Sequence, residues 1–260
     1  MSTATAGSPV IALAATETKL ILRNKTVAVS SMFLPVALGL FWAFTFDSEG
    51  DPARQAVVVA LQLAVVLGMG IYVTATQTLV ARRHSRVLKR MRTTGLTDGG
   101  LLTATLAPSV VLGIGQLVIF AVIDAVAGGP LPLDPLALIV GIVGGIALSV
   151  TAALATSIVT PTPERSQITT LPLTFVLLGA AIAMAMVPLA GWWHALVLVP
   201  GAAMGTLVQI AMNGDMWVAG SGGIPAGLPS LVATIAWPIV FAVLASRTFT
   251  WDPRHQRVAS

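Results

Sequence analysis

The chain has 260 residues, 56% of them hydrophobic and only 9% charged, where a soluble domain is about 25% charged. So few charges cannot clothe a globule in polar surface, and several apolar runs exceed the roughly 18 residues that suggest a membrane span. The formal net charge of +4 calls for a positional explanation, and the absence of cysteine excludes disulfides, thiolate nucleophiles and cysteine-based metal sites.

At the start of the chain, residues 1–10 lack a basic segment ahead of an apolar core, so no cleaved signal is expected. Residues 9–25 form an amphipathic segment. Val10, Leu13, Ala14 and Ile21 share one helical face, and Thr16, Lys19 and Arg23 lie on another. This suits a helix lying in the membrane interface, its basic side toward lipid headgroups. Glu17 falls near the apolar stripe and speaks against it. A plain extension of the first span is the alternative.

Six spans are predicted, near 26–46, 55–80, 101–127, 136–159, 168–189 and 228–245. About 20 helical residues at roughly 1.5 Å each cross the hydrocarbon layer. A further apolar run, Trp192–Met212, is broken at Pro200-Gly201 into pieces too short to cross. The segment 190–227 is therefore read as short helices re-entering the outer leaflet, with Trp192 and Trp193 in the interfacial aromatic belt. The expected fold is an all-α membrane protein, a single transmembrane domain over residues 1–260.

Loop charge orients the spans. With the N-terminus inside, thirteen of the fourteen Lys and Arg residues lie on the cytoplasmic side, and only Arg54 lies outside. The outer loops carry Asp47, Glu49, Asp51, Asp134 and Asp215.

Six of the fourteen basic residues crowd into the stretch between the second and third spans: Arg82, Arg83, Arg86, Lys89, Arg90 and Arg92. Read as a helix over 82–92, this stretch places Val87, Leu88 and Met91 on one apolar strip, ringed by the cations. Thr93-Thr94-Gly95 then supplies a break, and Asp98 is expected to cap the third span. Three roles fit. The cations anchor the loop inside, at about 1 kcal/mol each near anionic lipid; they bind nucleic acid; or the strip docks into a groove on a cytoplasmic protein. Without interleaved aromatics, and with the membrane accounting for the charge, no nucleic-acid partner is expected.

Catalytic signatures are missing. The three lysines, Lys19, Lys25 and Lys89, follow Thr18, Asn24 and Leu88, so no glycine-rich phosphate loop is possible. His84 and His255 belong inside and His194 outside, so no three-histidine metal site forms within one chain. Ala219–Gly223 lacks the first glycine of a serine nucleophile turn. The chain is not expected to be an enzyme by itself.

The run Leu88-Lys89-Arg90-Met91-Arg92-Thr93-Thr94-Gly95-Leu96 resembles the segment after the second span in type-2 ABC transporter permeases. Two departures stand out: Ala81 where that family commonly has an acid, and Gly95 where it has proline. Residues 170–214 are similar to the family's fifth span and outer re-entrant helices. The resemblance implies the permease subunit of an exporter for a hydrophobic or amphipathic drug or lipid, as in the daunorubicin exporter permease group. It implies a plasma-membrane location with both termini in the cytoplasm, lipid around the spans, and a second permease, either a copy or a paralogue. It also implies a separate cytoplasmic ATP-binding subunit that holds ATP and Mg, with no cofactor on this chain. That subunit would dock on the coupling region 82–96 through Arg83, Arg86, Val87, Leu88, Lys89, Arg90, Met91, Arg92 and Leu96.

Polar residues inside spans are costly and mark paths or helix contacts. Thr74, Gln77 and Thr78 share one face of the second span. In the family the second and fifth spans line the path, which selects Thr74, Gln77 and Thr174, with Gln116 on the third span. Interhelical hydrogen bonding is the alternative for each. Asp124 is placed near the outer end, and Gly141 with Gly145 is read as a close-packing pair. Two further readings compete with export: a non-transporting anchor or sensor subunit, and an ion-coupled carrier, against which the lack of a clear mid-depth charge counts.

Overall fold

The computed structural model describes residues 8–23, 25–46, 50–85, 87, 97–187, 192–214, 223–225 and 227–248. Among them are eight α-helices: α1 (Ser8–Arg23), α2 (Lys25–Thr45), α3 (Pro52–His84), α4 (Asp98–Val126), α5 (Pro135–Val159), α6 (Pro163–Met186), α7 (Ala202–Asn213) and α8 (Gly227–Thr248). Five of these, α3 to α6 and α8, are long and apolar enough to cross a membrane. In α2, a helix of 21 residues, the apolar stretch Pro35–Thr45 stands out. The expected all-α membrane architecture is thus present.

Helix starts follow local chemistry. Asp51 and Asp134 each accept a backbone N–H of the first turn, and a proline stands next in both, where its missing N–H costs nothing. For α4 the expected cap was Asp98. Thr97 takes that role, its hydroxyl accepting from Gly100 N at 3.1 Å, and Asp98 stands in the first turn. A carboxylate there still faces the positive helix end.

The central helix is α3. Its most apolar window is 67% buried, against 17% for α8, so α3 is the hub and α8 lies at the rim. Its middle, Val66–Val73, is a π-helix. Close packing concentrates there. A side chain on Gly68 would meet Leu178 of α6, and one on Gly70 would come within 2.8 Å of Gln116 Oε1 on α4. The glycines of α5 do the same for three neighbours. Gly141 rests on Leu207, Gly144 on Thr234, and Gly145 on Leu67 and Met204. The expected close-packing pair is real, and Gly144 joins it.

Outward faces of the long helices carry exposed apolar residues at helical spacing, for example Val111, Ile114, Val118 and Val122 on α4. In an aqueous protein such stripes would be liabilities; against lipid they are the solvated surface.

The segment after α6 dips into the bundle and comes back. A short 3-10 helix, Trp192–Leu198, leads to Gly201, whose φ of +90° permits the reversal. Gly201 lies against the backbone of Leu177, nine residues before the end of α6 at Met186, or about 14 Å along that helix at 1.5 Å per residue. From there α7 returns, and Ala211 O accepts from Asp134 N at 2.9 Å beside the start of α5. Gly205 presses on the carbonyl of Ala181. Two carbonyls of the segment find side-chain donors: Trp237 Nε1 donates to Leu198 O at 2.8 Å, just before the break, and Gln209 Nε2 donates to Val187 O at 3.1 Å, at the end of α6. This is the condition for broken backbone inside a bundle.

Candidate functional site

One end of the bundle gathers the basic residues. Here α3 runs on to His84, past the predicted limit of Val80, and Ser85 caps it. The helix predicted over 82–92 is therefore not one element. Arg82, Arg83 and His84 are the last turn of α3, and the chain breaks at Ser85. Val87 is helical and half-buried. Arg86, Leu88, Lys89, Arg90, Met91, Arg92 and Leu96 lie outside the described residues.

The two arginines that end α3 point in different directions. Arg82 forms an ion pair with Glu17 of α1, both side chains 19% exposed. Arg83 is buried and donates from Nη2 to the carbonyl oxygens of Ser157 and Thr160, each at 2.7 Å. Those carbonyls end α5, where the helix dipole favours a cation. Sequence reasoning put Arg83 at the rim of a docking surface, but its guanidinium is turned inward and ties α3 to α5.

Glu17 explains the odd member of the α1 stripe. Val10, Leu13, Ala14, Glu17 and Thr18 form the half-buried face, while Lys19 and Arg23 are exposed. Val10 packs on Gly100 at the start of α4. The family resemblance puts an acid at position 81, beside the arginines; α1 supplies one from elsewhere in the chain. The end of α3 is thus a mount fixed on two sides, to α1 and to α5.

Further along α3 lie two of the four residues selected as path-lining. Thr74 and Gln77 are half-buried, on the side that also leaves Met69 39% exposed. The other two, Gln116 and Thr174, are buried between helices. Gln116 packs on Gly70, and Thr174 lies within reach of Gly68. The structure therefore brings Thr74 and Gln77 to an accessible face and puts Gln116 and Thr174 into interhelical packing. Tyr72, missed as a polar residue of this span, is fully buried and shares a 2.9 Å hydrogen bond with Thr156 of α5.

At the opposite, acidic end, Asp124 of α4 accepts from Gln62 Nε2 of α3 at 2.7 Å and is also hydrogen-bonded by Gln55. These groups border a cavity of about 160 Å³ between α3, α4, the loop 129–132 and α5. Sequence reasoning placed Asp124 at this end but did not connect it to the glutamines. Their spacing of seven residues, one helical face repeated, was the available signal.

Among the described residues no group of acidic and histidine side chains could hold a metal ion. A bundle with five long apolar helices, and between the last two of them a broken segment that turns back within it, defines a multi-pass membrane protein. The family model of ABC-2 family transporter proteins matches residues 10–247. The chain belongs to that family and is a membrane permease component of an ABC transporter. No curated protein and no solved structure matched the chain in comparison.

Proposed function

We propose that this permease forms the translocation path of an exporter for hydrophobic or amphipathic compounds, driven by ATP on a separate subunit. In this reading the chain is one transmembrane domain in the plasma membrane, with both termini and the basic end in the cytoplasm. The ATP-binding subunit, which carries ATP and Mg, docks on region 82–96. Two permeases, copies or paralogues, enclose the path, and Thr74 and Gln77 face it.

The observation that carries this reading is the mount at the end of α3. A stretch meant only to anchor a loop by its charge needs no rigid support. Arg82 and Arg83 instead fasten its root to α1 and α5. Force applied to the stretch reaches the bundle through α3, the most enclosed of the five long helices. The accessible face of α3 bearing Thr74 and Gln77 would then move with the docked subunit.

The double substitution Leu88→Asp with Met91→Asp tests docking. Complex recovered on co-purification should fall at least tenfold, and substrate-stimulated ATP hydrolysis should disappear, with the permease still inserted in the membrane. Unchanged recovery of the complex would refute the docking role.

A further inference from the structure

Asp124 differs from the other carboxylates whose surroundings are defined. Asp51 pairs with Arg54 and Glu17 pairs with Arg82. Asp134 caps α5. Asp124 has no cationic side chain as partner among the described residues; only the two glutamine amides hold it. Asp124 is half-buried, and an ionisable residue within a transmembrane helix points to function.

Beside it is space. The cavity beneath the carboxylate is bounded by apolar groups, Leu63 of α3, Leu117 and Phe120 of α4, and Leu138 and Ile142 of α5. An apolar cavity of about 150 Å³ holds a benzene-sized molecule; this one is about 160 Å³. Phe120 and Leu117 precede Asp124 by one and two helical turns. The cavity therefore has a negative group at its mouth, toward the acidic end, and an apolar body deeper in.

We propose that this cavity binds an organic cation: an ammonium group against Asp124, with a ring-sized apolar portion against Leu117 and Phe120. The amides of Gln55 and Gln62 hold the carboxylate in place. They carry no charge of their own, and a cation beside a half-buried carboxylate is attracted more strongly than in bulk water. The ammonium belongs to a free amphipathic cation or to a lipid amine headgroup. The proposal deepens the export reading, on which it rests only for the ligand being cargo; binding needs no ATP-binding subunit.

Two probes of equal shape isolate the charge: phenyltrimethylammonium and its neutral counterpart tert-butylbenzene. Binding is measured by equilibrium dialysis of the full chain in phosphatidylglycerol nanodiscs, whose lipid carries no amine. The wild-type chain should bind one phenyltrimethylammonium, at least tenfold tighter than tert-butylbenzene. Asp124→Asn should remove that preference and leave tert-butylbenzene binding unchanged. Leu117→Trp fills the cavity without touching the carboxylate, and should weaken both probes at least tenfold. Adding phosphatidylethanolamine distinguishes the source: displacement identifies a lipid amine, and no displacement identifies a free cation. Equal binding of the two probes, or full cation binding by either variant, overturns the proposal. Because no ATPase is present, a negative result here leaves the docking result above untouched, and the reverse holds as well.

Discussion

The two ends of the bundle each centre on a carboxylate between helices, yet they are finished differently. At the basic end Glu17 meets a cation, Arg82, and the next arginine is satisfied by two carbonyls. At the acidic end Asp124 meets only amides, beside an open cavity. One arrangement is closed on itself and serves to hold; the other keeps an uncompensated charge and serves to receive. The contrast also separates means of support. Arginines secure the basic end, whereas toward the acidic end α7 is held by backbone contact, Gly205 on Ala181 and Ala211 O on Asp134 N.

Breaking the acidic end at its backbone contact should have the largest effect. Gly205→Leu forces a side chain into the carbonyl of Ala181, where no flexible group can yield, and should cost more than about 3 kcal/mol. Size-exclusion profiles in detergent should show loss of monodisperse protein; a normal profile would remove α7 from the framework. Next comes the basic end. Arg83→Met leaves the Ser157 and Thr160 carbonyls without their donor and should cost about 2–3 kcal/mol, a fall in Tm of roughly 5–10 °C. Arg83→Lys should recover part of it. An unchanged Tm would mean that the inward arginine is incidental. The smallest effect belongs to Glu17→Gln, because this pair is partly exposed: about 1 kcal/mol or less, shrinking further at high salt. The reciprocal exchange, Glu17→Arg with Arg82→Glu, should restore the loss. A loss insensitive to salt would point to packing of α1 and not to charge.

Hydropathy and proline-glycine breaks made the helices legible, including the division at Pro200-Gly201, because each depends on residues close in the chain. Partner choice across helices was not legible. Arg82 and Arg83 are the same residue type side by side, and only the rotation of α3 sends one to α1 and the other to α5. Glu17 looked like a flaw in an apolar stripe because its partner is 65 positions away. Gln62 and Asp124 were both visible as polar residues in spans. Their meeting depends on how far α3 and α4 slide past each other, which no single helix encodes. Thr97 displaced Asp98 as cap for a local reason: either side chain can accept the N–H, and the backbone of Thr97, extended at ψ 151°, left Asp98 already in the helix.

The π-helical turn of α3 joins the two ends in one more respect. Its wider winding sets the angular phase between the α-helical segments on either side of it: Gln62 looks toward Asp124, and Arg83 looks toward the end of α5. Rewinding Val66–Val73 as ordinary α-helix would twist these two side chains out of step, like a shaft slipping at its coupling. The anchorage at one end of the bundle and the amide-held carboxylate at the other are thus cut to a single torsional setting.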